Sequence, residues 1–272
     1  MNRFLFLICS IFATQGFSAS ASESVDFNIG LLLADKIFVG RVAEINATTP
    51  DDAFSEYRVK AINDAEVRNF LLNNPNREPL FEVGNEQRVF FLWEQDIFGR
   101  LHEEILWAPV LGVHTGAEYT HSRLVELTAK ALRTASLFDR VKMDCSRSVK
   151  KYLRQLDGSK QQEAIDGLFA IRKLSIGEFS CILNSARSKR PLRVFSFKPP
   201  YPSSEGSFHH GHSTRGDLVL ALLPHLTKAS IYSRSVPFSK SARDRLINAW
   251  KYWGYISYEL ASQTEAKSDL KQ

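Results

Sequence analysis

Cysteine is scarce: the chain holds three, Cys9, Cys145 and Cys181. Cys9 sits early in an apolar run and outside a lipoprotein context, so Cys145 and Cys181 are the two that count. Two thiols alone make no metal site. Long apolar runs are also missing. The longest near the N-terminus, Phe4–Ala13, falls well short of the roughly 20 residues a membrane-spanning helix needs, and no later segment is longer. The G-x-S-x-G turn of serine hydrolases, the P-loop and the G-x-G-x-x-G dinucleotide turn are absent. Glu163 and Asp166 share a helix face without any sign of a pocket, and Glu103-Glu104 reads as surface, so general acid–base work has no support.

What is present begins with an export address. Arg3, the apolar run and then Ala19-Ser20-Ala21 match a secretory signal peptide spanning 1–21, with Ser22 as the new N-terminus. The expected location is the periplasm or the outside of the cell, with no transmembrane segment after cleavage. Charge is divided unevenly over the rest of the chain. Residues 22–120 carry 8 Lys/Arg against 17 Asp/Glu, a net of −9, while residues 121–272 carry 26 against 13, a net of +13. Such asymmetry marks two parts and suggests a partner. Either the opposite fields dock the halves on each other, or the basic half meets an acidic protein face or an anionic envelope polymer. Nucleic acid is not expected of an exported chain. In an oxidising compartment Cys145 and Cys181 are either a disulfide or two buried thiols, both expected within helices. Asn46-Ala47-Thr48 spells a glycosylation sequon, meaningful in a eukaryotic secretory pathway.

The acidic part, 22–120, reads as a small, mostly antiparallel β domain, barrel or sandwich. From Lys36, Ile37, Val39, Val42 and Ile45 suit a strand, with Gly40 marking a bulge or a tight approach. Glu56–Ile62 alternates. Gln87–Glu94 is a continuous apolar run of the kind buried on both faces. Ile105–Val113 gives a further strand, with Pro109 near an edge. Val67 and Leu71 place a helix over Asp64–Asn73. The run Ala34-Asp35-Lys36-Ile37-Phe38-Val39-Gly40-Arg41-Val42, followed by a Tyr-x-Val strand and a Val-Phe-Phe-Leu strand, resembles exported β-barrels of the netrin/metalloproteinase-inhibitor type. That resemblance implies a barrel and offers protease inhibition as one reading. The N-terminal cysteine that such inhibitors place on a protease metal is absent here, so the activity does not follow from the fold.

The basic part, 121–272, reads as helical. Leu124, Leu127, Ala131, Leu132 and Ala135 place a helix over Ser122–Leu137, capped by Ser122. Ser146–Leu156, an Asp157-Gly158 turn, a helix over Lys160–Lys173 capped by Ser159, and a helix over Ile176–Ala186 have the rhythm of stacked helical repeats. Asp217–Thr227 and Ala242–Ser262 complete the set, the last with a core stripe of Leu246, Trp250, Trp253 and Leu260. Residues 149–183 resemble a HEAT-like repeat unit. Lys189-Arg190-Pro191-Leu192, His-His-Gly-His, Gly216-Asp217-Leu218 and the terminal Arg243…Trp250…Trp253 resemble a C-terminal arrangement of exported bacterial proteins of unknown function. This resemblance implies a non-enzymatic scaffold. The fold class expected is therefore α+β, a β domain followed by a HEAT-like α-helical domain.

Two groups of residues carry chemistry. His209, His210 and His212 lie in a Gly-containing loop, with Glu205, Asp217 or His225 as possible further ligands. Three imidazoles would suit zinc and a metal-dependent hydrolase, against a plain polar loop. Ser213, Thr214 and the amides near Gly216 could receive an anion beside Arg215, although Asp217 already supplies negative charge there. Arg147, Lys150, Lys151 and Arg154 recur at i, i+3, i+4 and i+7 as a basic helix face, and Arg190 and Arg215 add to that half. The reading that leads is an exported, non-catalytic binding or scaffold protein using this basic surface, ahead of a zinc protein and of an inhibitor. Arg215-Gly216-Asp217 spells an adhesion tripeptide, read here as a local helix start.

Overall fold

The computed structural model describes residues 25–47, 55–74, 82–97, 100–107, 120–171, 174–192, 196–197, 208–209, 214–229, 231 and 239–269. The protein is α+β: an N-terminal β part is followed by a helical part. The leader lies outside the described residues.

The chain enters as a helix, α1 (Val25–Leu33), then runs through β1 (Lys36–Ala47), β2 (Ser55–Ile62), β3 (Val67–Asn74), β4 (Gln87–Ile97) and β5 (Arg100–Trp107). Antiparallel ladders join β1 to β2, β2 to β3, β1 to β4 and β4 to β5. A single parallel pair, Leu71 with Glu104, joins β3 to β5 and closes the barrel in the order β1-β2-β3-β5-β4. Strand β4 returning beside β1 makes this a five-stranded Greek-key barrel. Its interior is filled by Phe38, Val42, Val59, Ala61, Phe70, Leu72, Phe90, Leu92 and Ile105, so the barrel is a core rather than a ligand chamber. Gly40 is the tight approach: a β-carbon there would meet Phe38 and the Ile62 carbonyl.

The helix expected over Asp64–Asn73 is a strand instead. Asn63 Oδ1 accepts the N–H groups of Ala65 and Glu66 at 2.9 and 2.8 Å, which turns the chain back on itself as an Asx turn does. Phe70 and Leu72 then alternate into the barrel, while Val67 lies 57% exposed. Val67 and Leu71, the pair that suggested helical spacing, both belong to the opposite set of this strand. Strand β5 also begins earlier than expected, at Arg100, and residues 108–113 lie outside the described residues.

Strand β4 is buried on both faces. Phe90 and Leu92 point into the barrel, while Val89 and Phe91 pack on Phe27 and Leu31 of α1 and on Leu124 and Leu127. Those last two belong to α2 (His121–Leu137), capped by Thr120, two residues earlier than the Ser122 expected. The helical part continues through a 3-10 turn (Phe138–Arg140), α3 (Arg147–Gln155), α4 (Gln161–Phe169), α5 (Ile176–Ser185), a two-stranded ribbon of β6 (Ser196–Phe197) and β7 (Phe208–His209), α6 (Arg215–Thr227) and α7 (Lys240–Asp269). Helices α3 and α4 form the expected pair about the Asp157-Gly158 turn, although α4 has Lys160 at its N-cap and no side-chain cap. Helix α7 is in contact with α1, α2, α5 and α6, which neighbour-to-neighbour stacking alone would not produce.

Helix α1 belongs to both parts. Ile29, Leu32 and Leu33 join the core of the helices, whereas Phe27 and Leu31 join the patch on the barrel wall. Burying these five side chains contributes on the order of 10 kcal/mol. Its C-terminus is held by a polar clip. Arg245 of α7 donates from Nε to the Leu33 carbonyl at 3.1 Å and pairs with Asp35. The other Asp35 carboxylate oxygen accepts the Glu94 N–H at 3.1 Å, and the Asp35 N–H donates to the Leu92 carbonyl at 2.8 Å. One aspartate thus ties the helix, the barrel and the last helix together.

In the helical core, Phe179 meets Phe138, Trp250 and Trp253 with ring centroids 5.6, 6.3 and 5.5 Å away. Leu246 and Trp250 are fully buried, as the aromatic stripe requires; the side chain of Leu260 lies outside the described residues.

Candidate functional site

The basic helix face is real and outward. Ser146 caps α3 by accepting the Val149 N–H at 3.4 Å, and Val149 and Leu153 bury its inner side. Arg147, Lys150, Lys151 and Arg154 occupy the outer side, all exposed. Seven residues of helix make this a row about 10 Å long. Among the described residues none of the four makes an ion pair. By contrast, barrel acids are largely engaged by barrel cations: Lys36 with Glu94 at 2.6 Å and Glu103 at 3.0 Å, Arg68 with Glu66 at 2.9 Å, and Lys60 with Glu44 at 3.7 Å. Between the halves, the charge contact among the described residues is Asp35 with Arg245, and the α3 row takes no part in it.

The row is anchored at both ends. At its start, Cys145 is disulfide-bonded to Cys181 of α5, with Cα atoms 5.5 Å apart. Cys145 stands in the extended segment before the Ser146 cap, not in a helix as expected; only Cys181 is helical. At its end, Asp157 occupies the turn after α3, and two of the expected binding residues converge on its Oδ2. Arg190 approaches with Nη1 at 3.6 Å and Arg215 with Nη1 at 3.9 Å. Both separations exceed a hydrogen bond. The Arg190 side chain is 73% exposed and that of Arg215 only 13%. Arg215 Nε is buried, with no hydrogen-bond partner among the described residues. Burial is the main influence lowering the pKa of the Arg215 guanidinium; Asp157 offsets it and Arg190 adds to it. In the sequence Asp157 reads as a turn residue and Arg243 as part of a C-terminal motif; their charge partners, distant along the chain, have no signal there.

The start of α6 is already satisfied, so it offers no free amides to an anion. Arg215 N–H donates to the Arg190 carbonyl at 2.8 Å and Gly216 N–H to the Ser188 carbonyl at 3.1 Å. A β-carbon on Gly216 would land on the carbonyls of Ala186 and Ser188, so glycine permits this docking. Asp217, fully buried, accepts the Thr214 N–H and hydroxyl on Oδ2 at 2.8 and 2.7 Å, and Arg243 Nη2 on Oδ1 at 2.7 Å. Both carboxylate oxygens are taken. Asp217 therefore serves neither as a spare metal ligand nor as an exposed adhesion residue.

The histidines give less. His209 pairs through its backbone with Ser196 in the β6–β7 ribbon, whereas its side chain, His210, His212 and Glu205 lie outside the described residues. His225 is half-buried on α6 and meets the Phe169 ring edge-on at 6.2 Å; burial pushes its pKa down. Among the described residues no three His, Cys, Asp or Glu side chains are grouped to hold a metal ion, and no helix is long and apolar enough to cross a membrane. In comparisons with known proteins the chain matches no family model, no curated protein and no solved structure.

Proposed function

We propose that this is an exported, non-catalytic binding protein that holds an anionic envelope polymer along the outer face of α3. The observation that carries the reading is the row Arg147, Lys150, Lys151 and Arg154: exposed, parallel to the helix axis and without acid partners among the described residues. Cations left unpaired on a rigid helix attract polyanions by releasing their counterions. The Cys145–Cys181 bridge suits an oxidising compartment.

A polymer is favoured over an acidic protein because the row lacks an apolar centre. Protein interfaces concentrate their energy in buried aromatic and apolar anchors. The large exposed apolar side chains described, Val67, Val83, Val125, Leu132 and Met143, are all outside α3.

The test is a salt titration of binding between residues 22–272 and labelled polyphosphate. Replacing all four cations by Gln should flatten the dependence of log affinity on log salt by roughly 3, about 0.7 per lost contact. These exposed substitutions should move stability by less than about 0.5 kcal/mol each. An unchanged salt slope in a folded variant would end the proposal.

A further inference from the structure

The Arg190–Arg215 pair at the end of the α3 row has more donors than its one acid can use. Two guanidiniums face a single carboxylate oxygen of Asp157 at 3.6 and 3.9 Å, neither within hydrogen-bond range. Arg215 is largely shielded from water, yet among the described residues its Nε finds no acceptor. The neighbouring acid cannot help, because both oxygens of Asp217 are committed to Thr214 and Arg243. A buried guanidinium without acceptors is an unfavourable arrangement, and guanidinium forks match oxyanions that present several oxygens.

We infer that Arg190 and Arg215 form a discrete phosphate-binding subsite in which Asp157 is an internal competitor. The incoming group places one oxygen where Asp157 Oδ2 now stands and offers the others to the remaining Nη donors of Arg190 and Arg215. A carboxylate presents two oxygens to two guanidiniums, whereas a phosphate presents three, so a phosphate fits the paired donors better. Three features allow the exchange. Arg190 is exposed and free to follow the ligand; Asp157 sits in a turn before Gly158, where an added β-carbon would meet the Gln155 carbonyl at an ordinary 3.6 Å; and the Asp157 contacts are loose. The subsite lies beyond Arg154, one turn-position past α3, so it would read a terminal or side phosphate of the polymer that the row holds. The inference rests on the polymer reading for that last role, but not for binding phosphate itself.

The experiment is titration of residues 22–272 with inorganic phosphate by isothermal calorimetry at constant ionic strength, with acetate as the comparison. Saturable phosphate binding, stronger than acetate, is expected. Asp157→Asn should tighten it roughly two- to five-fold, the scale of one lost exposed charge contact. Arg215→Gln should weaken it by about ten-fold or more, and Arg190→Gln, at an exposed site that leaves folding intact, should weaken it measurably. The four-Gln variant of the α3 row should bind inorganic phosphate as the wild type does while losing polyphosphate. Phosphate binding untouched by Arg190→Gln, weakened by Asp157→Asn, or not saturable would overturn the subsite. Intact phosphate binding together with row-independent polyphosphate binding would overturn the polymer reading alone.

Discussion

Removing the Arg245 guanidinium should loosen the whole molecule, because it ties the end of α1, the barrel and α7 together at one point. Arg245→Met keeps the aliphatic stem and deletes three interactions: the ion pair to Asp35, the hydrogen bond to the Leu33 carbonyl and an exposed one from Nη1 to the Ser241 hydroxyl at 2.6 Å. The side chains are 23% and 17% exposed. The contact therefore lies between a surface pair worth under about 1 kcal/mol and a buried pair whose disruption costs about 3–5 kcal/mol. The expected loss is about 2 kcal/mol, with the unsatisfied Leu33 carbonyl included. In a chain of this size that lowers Tm by roughly 4–8 °C. Asp35→Asn should cost a similar amount, since Asn still accepts the Glu94 N–H but no longer opposes the cation. The double variant should cost clearly less than the sum, as residues in one contact do not act independently. Urea denaturation followed by circular dichroism gives all three values. Losses below about 0.5 kcal/mol, or strict additivity, would refute the clip.

Reducing or deleting the Cys145–Cys181 bridge, which closes a span of 36 residues, should cost about 4 kcal/mol on the chain-entropy view. It should also weaken polyphosphate binding by freeing the start of α3, and Cys→Ser variants measured beside reduced wild type check both. The Tyr258 phenol donates to the Leu174 carbonyl at 2.9 Å, and burial, with a smaller push from Glu178, raises its pKa to about 12. An unfolded tyrosine loses its proton near pH 10, so this contribution to stability is present below pH 10 and disappears between pH 10 and 12. Urea midpoints across that window should fall less steeply in Tyr258→Phe. For His225 the sign is opposite: its depressed pKa contributes stability above about pH 6.5 that is lost on acidification, and His225→Gln should flatten the decline between pH 7 and 5.

Most parts of this fold legible in the sequence have one buried face, and β4, buried on both, is legible as a continuous apolar run. The α2 periodicity, the α3 row and the alternation of β2 each reflect a single boundary between core and water, while β1 sends Phe38 and Val42 into the barrel and packs Ile37 and Val39 on the patch beneath α1. Helix α1 escaped because VDFNIGLLL is buried on two sides, against the barrel wall and against α7, and so shows no polar stripe. Strand β3 reads as a helix in sequence because Val67 and Leu71 are four apart, a spacing that a strand shares when both residues lie on one face. Arg190 and Arg215 were recognisable as basic residues near a loop. Their convergence on Asp157 was not, because it depends on the α3–α4 turn reaching the start of α6. Asp217 looked like a helix-start acid and is one; its second role, holding Arg243, comes from packing against α7.

The central claim is that the polymer lies on α3, and lysine footprinting tests it most directly. Residues 22–272 would be reductively methylated with and without saturating polyphosphate, and modification read at each lysine by mass spectrometry. The account predicts that Lys150 and Lys151 are protected, while Lys60 on the barrel and Lys130 on α2 react as before. Equal protection everywhere, or protection that avoids α3, would contradict it.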